Sequence, residues 1–140
     1  MDFSLNDEEL SWQSKAHDFS KQKIRPISVP RDQIEGGFDP FDWSVIEEGS
    51  KLGFRTLAVP KEWGGAGTGF VTQALVMMEL ARGDSAICKA FSQNWKWSHL
   101  ILNACNDEQK KRFLTPFIED HRYMLGRGIT EPNAGCDNRL

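Results

Sequence analysis

The sequence predicts a mainly helical fold with one short strand near its C-terminal end. Two pairs, Asn6 with Glu9 and Asn106 with Gln109, have the spacing of capping boxes and mark helix starts. Apolar residues recur at three- and four-residue spacing through much of the chain between them. Only residues 124–130 read as a convincing strand. The total is four to six helices and one strand.

The first helix opens at Asn6 and carries Trp12, Ala16 and Phe19 at helical spacing. It is expected to end before Pro26, because the residue before a proline is biased away from helical geometry. Residues 29–37 then read as a linker punctuated by proline and glycine. Asp39-Pro40-Phe41-Asp42 opens a second helix with a cap, a proline at the first helical position and an acid in the first turn. Gly53 suits its C-terminal stop. Residues 57–67 hold too much glycine for a helix or a central strand and read as a loop.

Thr68 is the expected cap of a third helix, with Val71, Ala74, Leu75, Met78 and Ala81 on its apolar face. Gly83-Asp84 breaks that helix, and Asp84 caps a fourth running to about Asn103. Ile87, Phe91, Trp95, Leu100 and Leu102 make much of its surface apolar, so it is expected to be covered. Asn106 opens a fifth helix through Phe113 and Leu114, with Pro116 as a candidate end or kink. The strand at 124–130 needs neighbours for its backbone groups, and the ten residues after Thr130 offer none. Its partners are expected in further residues of the natural protein.

Composition narrows the function. The chain has 140 residues, 39% of them hydrophobic and 26% charged, the size of one domain or part of a larger protein. Its net charge of -3 provides no basic field for nucleic acid. Apolar runs are too short for a transmembrane helix. The acidic opening Met1-Asp-Phe-Ser lacks the features of a secretory or transit peptide. Cys88, Cys105 and Cys136 are odd in number and widely spaced, with no metal-ligand spacing, so reduced thiols and a cytoplasmic location are expected. No metal site is read.

Four blocks carry a resemblance: Leu57-Ala-Val-Pro-Lys-Glu-Trp-Gly-Gly-Ala-Gly67, Ala74-Leu-Val-Met-Met-Glu-Leu-Ala-Arg-Gly-Asp-Ser85, Asp107-Glu-Gln-Lys-Lys-Arg-Phe-Leu114 and Thr130-Glu-Pro-Asn-Ala-Gly-Cys-Asp137. In this order and spacing the sequence resembles the N-terminal part of the flavin-dependent acyl-CoA dehydrogenases. The resemblance implies an N-terminal helical domain over residues 1–122 and the start of a middle β domain over 123–140. It also implies FAD as cofactor, an acyl-CoA substrate, electron-transfer flavoprotein as electron acceptor, and a homo-oligomer formed through a C-terminal domain beyond this chain. The family's glutamate base lies in that later part, so no catalytic residue is assigned here.

By the same resemblance, Arg127, Ile129 and Thr130 border the flavin ring, and the Thr130 hydroxyl is the best donor to its pyrimidine edge. Gly135 lets the backbone approach the pyrophosphate. Cys136 stands where relatives usually carry a serine that bonds the flavin phosphate and whose backbone meets the acyl-CoA; a thiol is a weaker donor. Arg127 replaces a frequent aromatic, and Asn133 a frequent glycine. Asn94 and Trp95 fall where relatives line the acyl pocket, although a helix-buried aromatic is more often core.

Other features have plainer readings. His99 reads as a core or surface histidine, Arg82-Gly-Asp84 as a helix break, Met77-Met78 as helix packing, and Lys110-Lys-Arg112 as a solvated face. Two functions from different classes fit. One is the N-terminal part of an enzyme that desaturates acyl-CoA, with oxidase and monooxygenase relatives on the same fold as variants. The other is a non-catalytic helical module acting by protein–protein interaction, with an exposed apolar patch for which Phe113, Phe117 and Ile118 are candidates.

Overall fold

The computed structural model describes residues 4–31, 33 and 43–135. The helices are α1 (Asp7–Phe19), α2 (Arg25–Arg31), α3 (Trp43–Lys51), α4 (Phe70–Gly83), α5 (Ser85–Ala104) and α6 (Asp107–Glu119). The capping box of α1 is complete. Asn6 Oδ1 accepts from Glu9 N at 2.9 Å, and Asn6 N donates to Glu9 Oε2 at 2.9 Å. Three acids in the first turn, Asp7, Glu8 and Glu9, sit against the positive end of the helix.

Pro26 does not end the helical path. A π-helical turn, Ser20–Ile24, joins α1 to α2, and Arg25 N–H reaches back five residues to Ser20 O. Proline lacks an N–H, and its ring crowds the carbonyl four residues back. A wider turn just before it relieves that crowding and lets the helix run on. Residues 29–31, read as linker, are therefore helical. The expected helix opening at Asp39-Pro40 lies outside the described residues.

The π turn and α2 dock against the end of α4. Ser28 Oγ donates to Gly83 O at 2.9 Å, and Arg25 Nη1 donates to Arg82 O at 3.2 Å, so two late carbonyls of α4 gain partners. A Cβ on Gly83 would lie 2.6 Å from Ser20 Oγ and 2.8 Å from Ile24 Cγ2. Gly83 thus permits close contact as well as ending the helix.

This contact corrects the expected face of α4. Its buried residues are Thr72, Val76, Glu79 and Leu80. Val71 and Met78 are instead exposed, at 55% and 64%. Glu79 on the buried side meets His17 Nδ1 of α1 at 3.0 Å and Arg82 Nη1 at 3.6 Å. The expected cap is also corrected. Gly69 holds the N-cap position, while the Thr68 hydroxyl donates to Leu57 O at 2.9 Å.

The main core gathers Ala16, Phe19, Phe54, Val76, Leu80 and Phe91 with their neighbours. Phe54 is its centre, with ring centroids 5.3 Å from Phe19, 6.1 Å from Phe91 and 6.2 Å from Trp12. Gly53, at φ +94°, takes the left-handed geometry that ends the α3 turn and turns Phe54 inward. A second cluster of Val59, Leu114 and Phe117 lies under α6. Phe117 is fully buried there, and Phe113 and Ile118 are only partly exposed, so the expected apolar patch at this junction does not form. The large exposed apolar side chains include Phe70, Val71 and Met78, all on α4.

Asp84 caps α5 by accepting from Ala86 N and Ile87 N. Asn106 and Gln109 complete the capping box of α6, which continues through Pro116 to Glu119. Residues 124–130 form no strand among the described residues; the one pairing nearby is an isolated bridge between Glu131 and Ala134. A strand is defined by partners, and none of the described residues pairs with this segment. No helix among the described residues is long and apolar enough to cross a membrane.

Gly83→Ala is expected to destabilise the protein by about 1–3 kcal/mol, because a methyl must displace Ser20 or Ile24 in a packed contact. Urea unfolding checks this. Gly126→Ala, which enters open space, is expected to stay within about 0.5 kcal/mol.

Candidate functional site

The segment after α6 leaves the helical core under the control of two buried polar side chains. Arg55 is 1% exposed and Asn94 is fully buried. Arg55 Nη1 donates to Phe117 O and, at 2.8 Å, to Tyr123 O, while its Nε donates to Ser50 Oγ at 3.2 Å. The guanidinium also lies 4.3 Å from the centroid of the Phe117 ring. Burial pushes its pKa down to about 10, opposed by the negative charge of Asp120, so it stays charged at neutral pH. Asn94 Oδ1 accepts from Leu125 N at 2.8 Å, and its Nδ2 donates to Ala90 O at 2.7 Å. Arg55 Nη1 and Asn94 Oδ1 thus hold backbone between 117 and 125.

Beyond this anchor most of the chain to Gly135 faces solvent, with Ala134 the buried exception. Arg127, Ile129, Thr130 and Gly135 are all exposed. The Arg127 guanidinium sits 5.7 Å from the Trp97 ring centroid, beside a groove of about 290 Å³ that Phe113 and Tyr123 help to line. Glu131 and Ala134 exchange backbone hydrogen bonds of 3.0 and 3.2 Å, closing a tight turn with Pro132 and Asn133 at its tip. A Cβ on Gly135 would meet nothing within 4 Å, so its approach side is open. Cys136 lies outside the described residues.

The two pocket candidates on α5 separate. Trp95 lines a groove of about 490 Å³ together with Phe70, Met77, Ser92 and His99. It is also core, 4% exposed, with Nε1 donating to Phe54 O at 2.6 Å. Asn94 does not line that groove; its Oδ1 holds the exit segment while its Nδ2 bonds Ala90 O of its own helix. Arg55 was not legible as a functional residue. The available signal was a lone charge in the otherwise uncharged run from Leu52 to Pro60.

The glycine-rich loop read at 57–67 is closed by hydrogen bonds to its own neighbouring backbone. The N–H groups of Gly65, Ala66, Gly67 and Thr68 donate to the carbonyls of Pro60, Thr56, Val59 and Leu57 respectively. Cys88 and Cys105 are free thiols, and burial raises the pKa of Cys88. No group of His, Cys, Asp and Glu among the described residues could hold a metal ion.

Residues 6–121 match the description "Acyl-CoA dehydrogenase, N-terminal domain". The chain belongs to the acyl-CoA dehydrogenase family. It is 33% identical over 140 residues to a glutaryl-CoA dehydrogenase of Desulfococcus multivorans, covering 98% of this chain and 35% of that relative. The butyryl-CoA dehydrogenase structure from Megasphaera elsdenii superposes with a TM-score of 0.81 at 30% identity, covering 99% of this chain and 36% of that one. A chain from a structure of the electron transferring flavoprotein of Acidaminococcus fermentans superposes with a TM-score of 0.83 at 26% identity, with 99% and 35% covered. The chain thus spans about a third of the length of these acyl-CoA dehydrogenase relatives.

Trp95→Phe keeps a ring in the groove wall and core but leaves the buried Phe54 carbonyl without its donor. It is expected to cost about 1–3 kcal/mol in urea unfolding, the range for an unsatisfied buried polar group.

Proposed function

We propose that the natural protein containing these residues is an FAD-dependent acyl-CoA dehydrogenase. In the proposed reaction the α and β C–H bonds of an acyl-CoA thioester break and a C=C bond forms between those carbons. The proton goes to a carboxylate base outside this chain. Bound FAD supplies the acceptor for the hydride and its electron pair at N5. Electron-transfer flavoprotein then takes the electrons onward, a reading in line with the Acidaminococcus neighbour. Residues 1–122 are proposed as the helical domain and 123–140 as the opening of a β domain, in a homo-oligomeric protein of the cytoplasm.

The observation that carries this reading is the 127–135 segment, exposed except at Ala134 and presented by a helical domain of the matching family. Its groups suit a flavin. An exposed hydroxyl at Thr130 can donate to a polar ring edge, and the open face at Gly135 admits close backbone approach. Arg127 places a positive charge at the start of the same segment, over the Trp97 ring. The Trp95 groove, apolar with a few polar groups at its rim, suits an acyl tail. These residues bind and orient; the chain's own acids are given no part in the proton transfer.

The natural full-length protein is expected to purify with bound FAD and to lose its oxidised-flavin absorbance when butyryl-CoA is added without oxygen. Thr130→Val is expected to weaken FAD binding about fivefold to tenfold, the effect of one hydrogen bond. A natural protein with an intact mass of 15.9 kDa and no affinity for FAD would overturn the proposal in favour of a non-catalytic helical module. Rapid reoxidation by oxygen alone would assign an oxidase.

A further inference from the structure

Asn94 and Arg55 are two of the most deeply buried polar side chains of the protein, yet neither faces the Trp95 groove. Their hydrogen bonds to Leu125 N, Tyr123 O and Phe117 O converge on the stretch of backbone that leads to Thr130. Local bonds do little there. Tyr123 N donates to Asp120 O and Arg122 N to Asp120 Oδ1, both upstream, and no ladder holds 124–130 among the described residues. We infer that Asn94 and Arg55 are positioning residues for the flavin. By fixing the backbone at 117–125 from inside the helical core, they set the direction in which Thr130 is presented. The inference rests on the flavin reading above.

Scale supports the point. Fully extended, the five steps from Leu125 to Thr130 would span about 17 Å, a lever on which a tilt of about 10° at the anchor moves the hydroxyl by about 3 Å. Binding constellations tolerate about 0.5 Å. Both side chains read main-chain atoms, and the two kinds of contact divide the work. Asn94 supplies an acceptor for one N–H, and Arg55 supplies donors for two carbonyls. A buried carbonyl or N–H that loses its partner drives the segment to rearrange, because an unsatisfied group in the core is costly.

The test uses the natural full-length protein stripped of cofactor and titrated with FAD, read by quenching of flavin fluorescence and by the visible spectrum of the bound flavin. Asn94→Leu keeps the branched shape but removes the acceptor, and is expected to raise the FAD dissociation constant about tenfold and to change the spectrum. Hydrogen exchange at the Leu125 amide should accelerate while the α5 amides stay protected. Asn94→Asp keeps the acceptor for Leu125 N and, as the neutral acid, can donate to Ala90 O; it is expected to recover part of the affinity, a rescue that a purely volumetric role would not show. If Asn94→Leu fails to fold, Arg55→Lys carries the same test, since an ammonium cannot reproduce the guanidinium fork. The inference is overturned if the folded variant binds FAD within twofold of the unsubstituted protein with an unchanged spectrum while the Leu125 amide exchanges freely. Failure of the unsubstituted protein to bind FAD removes the flavin reading itself, and this inference with it.

Discussion

A guanidinium buried among main-chain carbonyls joins the two halves of this molecule. Arg55 follows Phe54, which centres the aromatic cluster of the main core, and Arg55 itself reaches the second cluster through Phe117. The backbone at this point does three things at once. Gly53 turns the chain out of α3, Phe54 fills the core and offers its carbonyl to Trp95, and Arg55 holds the end of α6. A charge placed so deep is tolerated only when its donors are occupied, and here they meet oxygens of Ser50, Phe117 and Tyr123. Losing this residue would leave two buried carbonyls bare as well as opening a cavity.

The close approach at Gly83 is the second constraint, and it explains the π turn. α1 and α2 must pass the end of α4 at a distance that admits Ser20 and Ile24 but no Cβ on Gly83. The widened turn carries the chain past Pro26 without ending the helix and delivers Ser28 and Arg25 to the last carbonyls of α4. Sequence-local strain at a proline and a tertiary contact to a glycine are solved by one backbone irregularity.

What was legible in the sequence follows from the range of each interaction. The helix starts at Asn6, Asp84 and Asn106 were readable, because a cap is decided by residues two or three positions apart. The stop at Gly53 was readable for the same reason. The buried face of α4 was not. Two faces of that helix compete, one with Val71 and Met78 and one with Val76 and Leu80. The choice went to the second through partners on α1 and the π turn, which no local pattern contains. The continuation past Pro26 depends likewise on where α4 lies. At the candidate site, Thr130 and Gly135 are exposed and Trp95 stands on a groove wall, positions that motif and helical spacing single out without naming what they touch. The work of Asn94 and Arg55 was hidden, because their partners on the exit segment are backbone atoms 31, 62 and 68 positions away.

Arg55 and Asn94 grip peptide groups and leave side chains unread. At Tyr123 and Leu125 the bonds go to a carbonyl and an N–H that any residue other than proline provides. The course of the chain out of the helical core is therefore encoded far upstream, while the residues along that course remain free to change with the ligand they meet. A graft that replaced everything after Leu125 with another β segment would inherit the same trajectory. The helical part behaves as a jig, indifferent to the identity of the piece it aims.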